Sequence, residues 1–154
     1  MSDHARYLSE AVQLAADNVC DGGTPYGAVL VRGDEVLARV ANNVHTTNDP
    51  TGHAEMVALR EASRRLNSHD LSGSVMYASG QPCPMCHAAM RLSGIREGYF
   101  ANAAATAGDF GLLGAEIYAE LCRPLDAQPM RLKHLDVPDA TAPYAAWKAR
   151  KDEA

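Results

Sequence analysis

His53-Ala54-Glu55 and, further along, Pro82-Cys83-Pro84-Met85-Cys86 constrain this chain more than any other feature, because donors far apart in sequence must reach one point. Proline at the first position of a helix costs nothing, since the N–H it lacks would have no partner there. Pro84 therefore predicts a helix that starts at Cys83, and because residues three apart share a face, Cys83 and Cys86 point the same way. At the positive end of a helix dipole a thiolate is favoured over a thiol. His53 opens a second helical stretch, to about Leu66, with Met56, Val57, Leu59, Ala62 and Leu66 at helical spacing. Any fold for this chain has to aim two helix starts at one ion.

A structural zinc site closes its tetrahedron with four protein ligands, whereas a catalytic one keeps a position open. Only His53, Cys83 and Cys86 stand at ligand spacing, which predicts bound Zn²⁺ with an open position. Two thiolates and a neutral imidazole cancel the charge of the ion, so water there ionises less readily than at a three-histidine site, where its pKa falls to about 7. A base is then needed. Glu55 is the candidate catalytic residue, moving protons between water, a substrate ring nitrogen and a departing amine. H-x-E followed by P-C-x-x-C is the signature of zinc deaminases acting on nucleobases. A redox reading of C-x-x-C is weaker, because no aromatic and glycine flank Cys83. A closed structural site would need His87, which falls on the wrong side of the turn. Cys20 and Cys122, set among apolar neighbours, are expected as small buried side chains rather than ligands.

At 154 residues and 47% hydrophobic content the chain predicts one domain, 1–154, with one well-filled core. It contains no run of eighteen apolar residues and no charged-then-apolar leader, so the expectation is a cytoplasmic protein without membrane contact. Cysteines held as metal thiolates also suit a reducing compartment. The net charge is −5, and basic residues cluster only briefly, at Arg64-Arg65 and from Lys148 to Lys151. A protein that neutralises several phosphates normally shows a basic stripe, so nucleic acid is not the expected partner and a small free substrate is.

Ala5 to Cys20 places Leu8, Ala11, Val12, Ala15, Ala16 and Val19 on one stripe before Asp21-Gly22-Gly23 breaks it, which predicts a first helix. Tyr26 to Val31 and Glu35 to Ala41, split by Gly33-Asp34, predict a hairpin, and Asn42 to Gly52 a loop into the His53 helix. Strands follow at Ser74–Ser79, Arg96–Ala101 and Met130–Leu135, with helices at Pro84–Leu92, Gly114–Leu121 and Ala142–Arg150. The order predicts an α/β fold, a three-layer α/β/α sandwich around a five-stranded mixed sheet.

From Thr24-Pro25-Tyr26-Gly27-Ala28 through Asn42-Asn43-Val44, Asn48-Asp49-Pro50-Thr51 and His53-Ala54-Glu55 to Cys86, and more loosely to Trp147, the chain resembles the cytidine deaminase-like superfamily and, within it, bacterial guanine deaminases. The resemblance implies a cytidine deaminase-like fold and hydrolytic release of ammonia from a free nucleobase, guanine-type first. By the same resemblance Asn42 hydrogen-bonds the base, the Ala54 amide holds its carbonyl, and Tyr26, where the family usually has Phe, packs near it. A homodimer is also implied, in which the tail with Tyr144 and Trp147 packs near the partner's site.

The chain departs from the pattern in several places. Gln81 stands where Glu usually precedes Pro-Cys, Leu92 replaces a common Trp and should reshape the pocket, and the stretch Gly108 to Gly114 lacks an aligned acid. Asp109 replaces that acid only if the loop is rearranged; otherwise it is a solvated or turn-stabilising residue. His45, in the loop that carries Asn42, is a candidate for selectivity. His4, His69 and His134 show no partners and are expected on the surface. Other substrates stay open: cytosine, isocytosine, an aminotriazine, a pterin or a nucleoside. So do a tRNA adenosine deaminase and a catalytically inactive deaminase-like binding module, although the presence of Glu55 argues against the last.

Overall fold

The computed structural model describes residues 2–112 and 114–152. Its compact units span residues 1–119 and 120–154.

In the first unit, α1 (Asp3–Cys20) leads into a hairpin of β1 (Gly27–Arg32) and β2 (Glu35–Ala41). A one-turn helix α2 (Val44–Thr47) interrupts the expected loop, and α3 (Ala54–Leu66), β3 (Ser74–Gly80), α4 (Pro84–Leu92) and β4 (Glu97–Asn102) follow. The sheet order is β2-β1-β3-β4; β1 pairs antiparallel with β2 and β3, while β3 and β4 run parallel. This is the three-layer α/β/α arrangement expected for the unit, because alternate strand residues pack on opposite layers. Leu30 and Met76 join Ala58 and Leu59 of α3 and Met90 of α4 in one core. Val29, Val31 and Tyr77 join Tyr7 and Ala11 of α1 in the other.

The sheet has four strands rather than five. Met130 to Lys133 alternates apolar and polar residues, but a strand also needs a neighbouring edge for its N–H and C=O groups. Among the described residues none pairs with it, and Leu135 is 79% exposed. The second unit contains instead a 3₁₀ turn at Leu125–Ala127 and a helix, Ala142–Asp152.

The buried face of α1 is turned from its expected position. Tyr7, Ala11, Ala15 and Asn18 are buried, whereas Val12 and Val19 are largely exposed. Small residues decide this. Gly27 lies so close to the backbone of Ala11 and Ala15 that a Cβ there would collide with both, so strand and helix pack nearly backbone to backbone. Cys20, about 140° around the helix from Tyr7 at 100° per residue, is consequently exposed and not buried as expected. Cys122 is exposed as well. His4, His69 and His134 are all exposed, but His4 does have a partner, its Nδ1 lying 2.8 Å from the Tyr77 hydroxyl.

Candidate metal centre and reaction pocket

Neither α3 nor α4 begins with a conventional cap. His53 and Cys83 occupy the N-cap positions in extended backbone, and neither makes a side-chain cap hydrogen bond. The side chains turn toward each other instead. Cys83 Sγ is 3.5 Å from His53 Nδ1 and 3.5 Å from Cys86 Sγ, and Cys86 Sγ is 3.7 Å from His53 Nδ1. The donor atoms of His53, Cys83 and Cys86 all lie within 4.8 Å of one another, and these are the residues among those described that could hold a metal ion. Two sulfurs and one imidazole nitrogen at two helix starts, with His53 and Cys83 half-buried and Cys86 buried, fit Zn²⁺ with its open position.

Electrostatics at this corner follow from crowding. The Cys83 thiol is held down at about 4, first by its hydrogen bond with Cys86, while that same bond and burial push Cys86 far above the ordinary thiol range. A bound metal ion would favour the thiolate at both positions. The hydrogen bond with Cys83 raises the His53 imidazole. Glu55, only 5% exposed and 3.5 Å from Cys86 Sγ through Oε2, is raised above the usual carboxylate range, chiefly by desolvation. Burial thus makes this carboxyl hold a proton more tightly than an ordinary glutamate does, which suits a group placed to take up a proton and hand it on.

A cavity of about 60 Å³ opens beside His53, Glu55 and Cys83. Its remaining wall comes from Tyr26, Gly80 and Gln81, from Ala104 and Ala107 of α5 (Ala104–Gly108), and from Gly114 and Tyr118 at α6 (Ala115–Leu121). Tyr26 lines the cavity beside Glu55 and Cys83; its phenol is raised first by burial and then by Glu55 and Cys83. Gln81 also reaches the wall, where its side-chain oxygen accepts the Ala104 N–H at 3.1 Å and fixes the start of α5.

Other candidates are placed differently. Asn42 is buried, but outside this wall, and its Oδ1 accepts the Val44 N–H at 3.1 Å, leaving the amide NH₂ as its uncommitted end. Ala54 is the first residue of α3, where N–H groups have no intrahelical acceptor. Asp109 is exposed at the C-cap of α5 and does not line the cavity. His45 is exposed on α2, with its ring edge against Gly23. Leu92 is 85% exposed at the end of α4 and contributes nothing to the pocket wall, contrary to its expected role.

Tyr118 had no signal in the sequence. Its hydroxyl donates to the Pro82 carbonyl at 2.6 Å, directly before Cys83, and lies 3.5 Å from His87 Nδ1. His87 itself stays outside the donor group.

A layered α/β/α unit that aims two helix starts, two sulfurs and an imidazole at one buried carboxyl has the layout of a metal-assisted hydrolase. The family model for the cytidine and deoxycytidylate deaminase zinc-binding region matches residues 1–102. Guanine deaminase of Bacillus subtilis (strain 168) is 33% identical over 147 residues, which is 95% of this chain and 94% of that protein. The X-ray structure of guanine deaminase from B. subtilis matches with a TM-score of 0.91 over 96% of this chain and 95% of that one. A tRNA-specific adenosine deaminase of Aquifex aeolicus (strain VF5) is 39% identical over 94 residues, 61% of this chain and 62% of that protein. The chain belongs to the cytidine and deoxycytidylate deaminase family: it is a zinc-dependent hydrolase that acts on C–N bonds.

Proposed function

We propose that this deaminase acts on a free aminated nucleobase of the guanine type, releasing ammonia, with residues 1–154 working as one domain. The observation that carries the reading is the pairing of the buried Glu55 carboxyl with the His53–Cys83–Cys86 donor group at a small cavity. The near full-length likeness to guanine deaminase of B. subtilis supports the substrate class.

In this reading His53, Cys83 and Cys86 hold Zn²⁺. When bound, the ion supplies a Lewis acid that makes water easier to deprotonate. Glu55 takes a proton from the attacking water and delivers it to a ring nitrogen as the oxygen adds to the amine-bearing carbon; it then takes the proton of the added hydroxyl and passes it to the amino group, which leaves as ammonia as the C–N bond breaks. A carbonyl replaces the amine. Tyr26 packs against the heterocycle, the Asn42 NH₂ donates to it, and the Ala54 N–H holds its carbonyl. Gln81, lacking the charge of a glutamate, positions α5. Asp109 and His45, at their observed places, take no part.

The likeness to the tRNA-specific enzyme of A. aeolicus supports a second reading, deamination of adenosine in tRNA. The net charge of −5 and the absence of Lys and Arg from the cavity wall favour the small substrate. An ammonia-release screen over guanine, adenine, cytosine, isocytosine, an aminotriazine, a pterin, nucleosides and tRNA tests both. Turnover of tRNA with none of the free bases would overturn the first reading.

We infer further a homodimer in a reducing, cytoplasmic compartment, serving purine breakdown. Exposed Tyr144 and Trp147 need apolar cover, and the metal-binding thiols must stay reduced. Among the described residues no helix is long and apolar enough to cross a membrane. Light scattering at micromolar protein should give twice the chain mass; a monomer would contradict the dimer.

A further inference from the structure

The reaction cavity has a much larger neighbour. A chamber of about 600 Å³ lies against it, and Tyr26, Gly80 and Ala107 line both. Ligand pockets usually measure about 300–1,000 Å³, so the 60 Å³ beside Glu55 is too small to be a whole binding site, whereas the chamber falls within the range. Tyr26 forms the partition. Its ring lies 3.0 Å from where a Cβ of residue 80 would stand, so Gly80 lets it lie flat on the end of β3. A heterocycle against this ring has one edge at Glu55 and another toward the chamber.

The chamber wall carries no charged side chain. Val19, Pro25, Phe110 and Leu112 supply apolar surface from α1, the loop before β1, and the segment after α5. Its polar groups are largely engaged elsewhere: Ser79 Oγ accepts the Gly27 N–H at 3.0 Å, and Asn102 Nδ2 donates to the Ser79 carbonyl at 3.0 Å. A phosphate here would meet no cation among the described residues of the wall.

We propose that this chamber receives an uncharged, mainly apolar substituent of the substrate, so that the enzyme accepts neutral substituted amino-heterocycles and rejects nucleotides. The proposal rests on the deaminase reading for its substrate core, but the chamber can be tested by binding alone. Zinc-loaded Glu55→Gln protein would be titrated calorimetrically with guanine, its N7- and N9-benzyl derivatives, guanosine and guanosine 5′-monophosphate. At least one benzyl derivative should bind ten times or more tighter than guanine, and guanosine ten times or more tighter than its monophosphate. Thr106→Phe, which fills the chamber from α5 without touching the reaction cavity, should abolish the benzyl gain. Val19→Trp, from the opposite wall, should do the same. No gain for either derivative, a gain that survives both substitutions, or a monophosphate bound as tightly as the nucleoside would overturn the proposal. Ammonia release from these compounds by the wild-type enzyme is read separately: turnover of none of them would reject guanine-type deamination, while the binding comparison still decides the chamber.

Discussion

The two sides of the reaction cavity are built by opposite means. His53, Glu55, Cys83 and Cys86 come from two helix starts within short motifs, whereas Tyr26 comes from the segment before β1, Ala107 from α5, and Gly114 and Tyr118 from α6 and the residue before it, with Gln81 joining them from beside Cys83. On the first side, position follows from helix geometry once the two starts are set together. On the second, it follows from how the whole unit packs. The contrast teaches that reaction type and substrate choice are encoded at different ranges, and that changes on the two sides should fail differently.

The sharpest way to break the comparison is at the donor group. Cys83→Ala should lose most of its zinc, read as metal per chain by elemental analysis, and activity should go with it; full retention of zinc would remove Cys83 from the ligand set. Next comes Glu55→Gln, which should keep zinc and fold while kcat for ammonia release drops by about 100- to 10,000-fold, the usual range for a general acid–base group. Near-normal turnover would overturn the proton-transfer role.

The packing-built side should respond in smaller steps. Tyr118→Phe removes the donor to the Pro82 carbonyl and should cost about 1 kcal/mol of stability in urea titration, with zinc still bound. Complete zinc loss in that variant would show that the two sides are not separable.

The smallest effect is expected at Asp49, in the turn before His53. The Thr51 hydroxyl, followed by the Thr51 N–H, holds its carboxyl below the usual range, with Arg60 3.4 Å away. Its stabilisation is present above the carboxyl's unfolded pKa and is lost as the pH falls through the lower folded value. The Tm gap between wild type and Asp49→Asn should therefore be open at neutral pH and narrow as the pH falls below the unfolded value near 3.9 and on through the lower folded one. A gap that widens on acidification would reverse the sign.

Sequence reading was strongest where structure is local. The bounds of α4 are those its proline start and apolar spacing predict, and β2 and β3 lie within one residue of expectation. Reading was weaker where distant segments decide. In the α1 stripe Leu8, Ala11 and Ala15 do face the core, but Val12 and Val19 do not: they are more hydrophobic than Ala11 and Ala15, yet only the small residues let β1 approach. Helix α5, five residues of alanine, threonine and glycine, has too short a period to show. Tyr118 sits more than thirty residues from the groups it serves, and no spacing rule reaches that far. Met130–Leu135 failed for the opposite reason: its local pattern is good, but a strand is made by its neighbour.

The uncapped starts of α3 and α4 bear on how the protein holds together. Serine, threonine, aspartate or asparagine at such positions typically contributes about 0.5–2 kcal/mol over an uncapped start, and this chain forgoes that twice by placing a histidine and a cysteine there. An ion gripped by both residues ties the two helix entrances together and takes over the fastening that the caps would have given. Stability then rises with free metal concentration, as for any ligand that binds only the folded chain. In a zinc-poor cell, activity and lifetime of the protein would decline together, because one ion both equips the reaction and ties together the starts of two helices that share one layer of the fold.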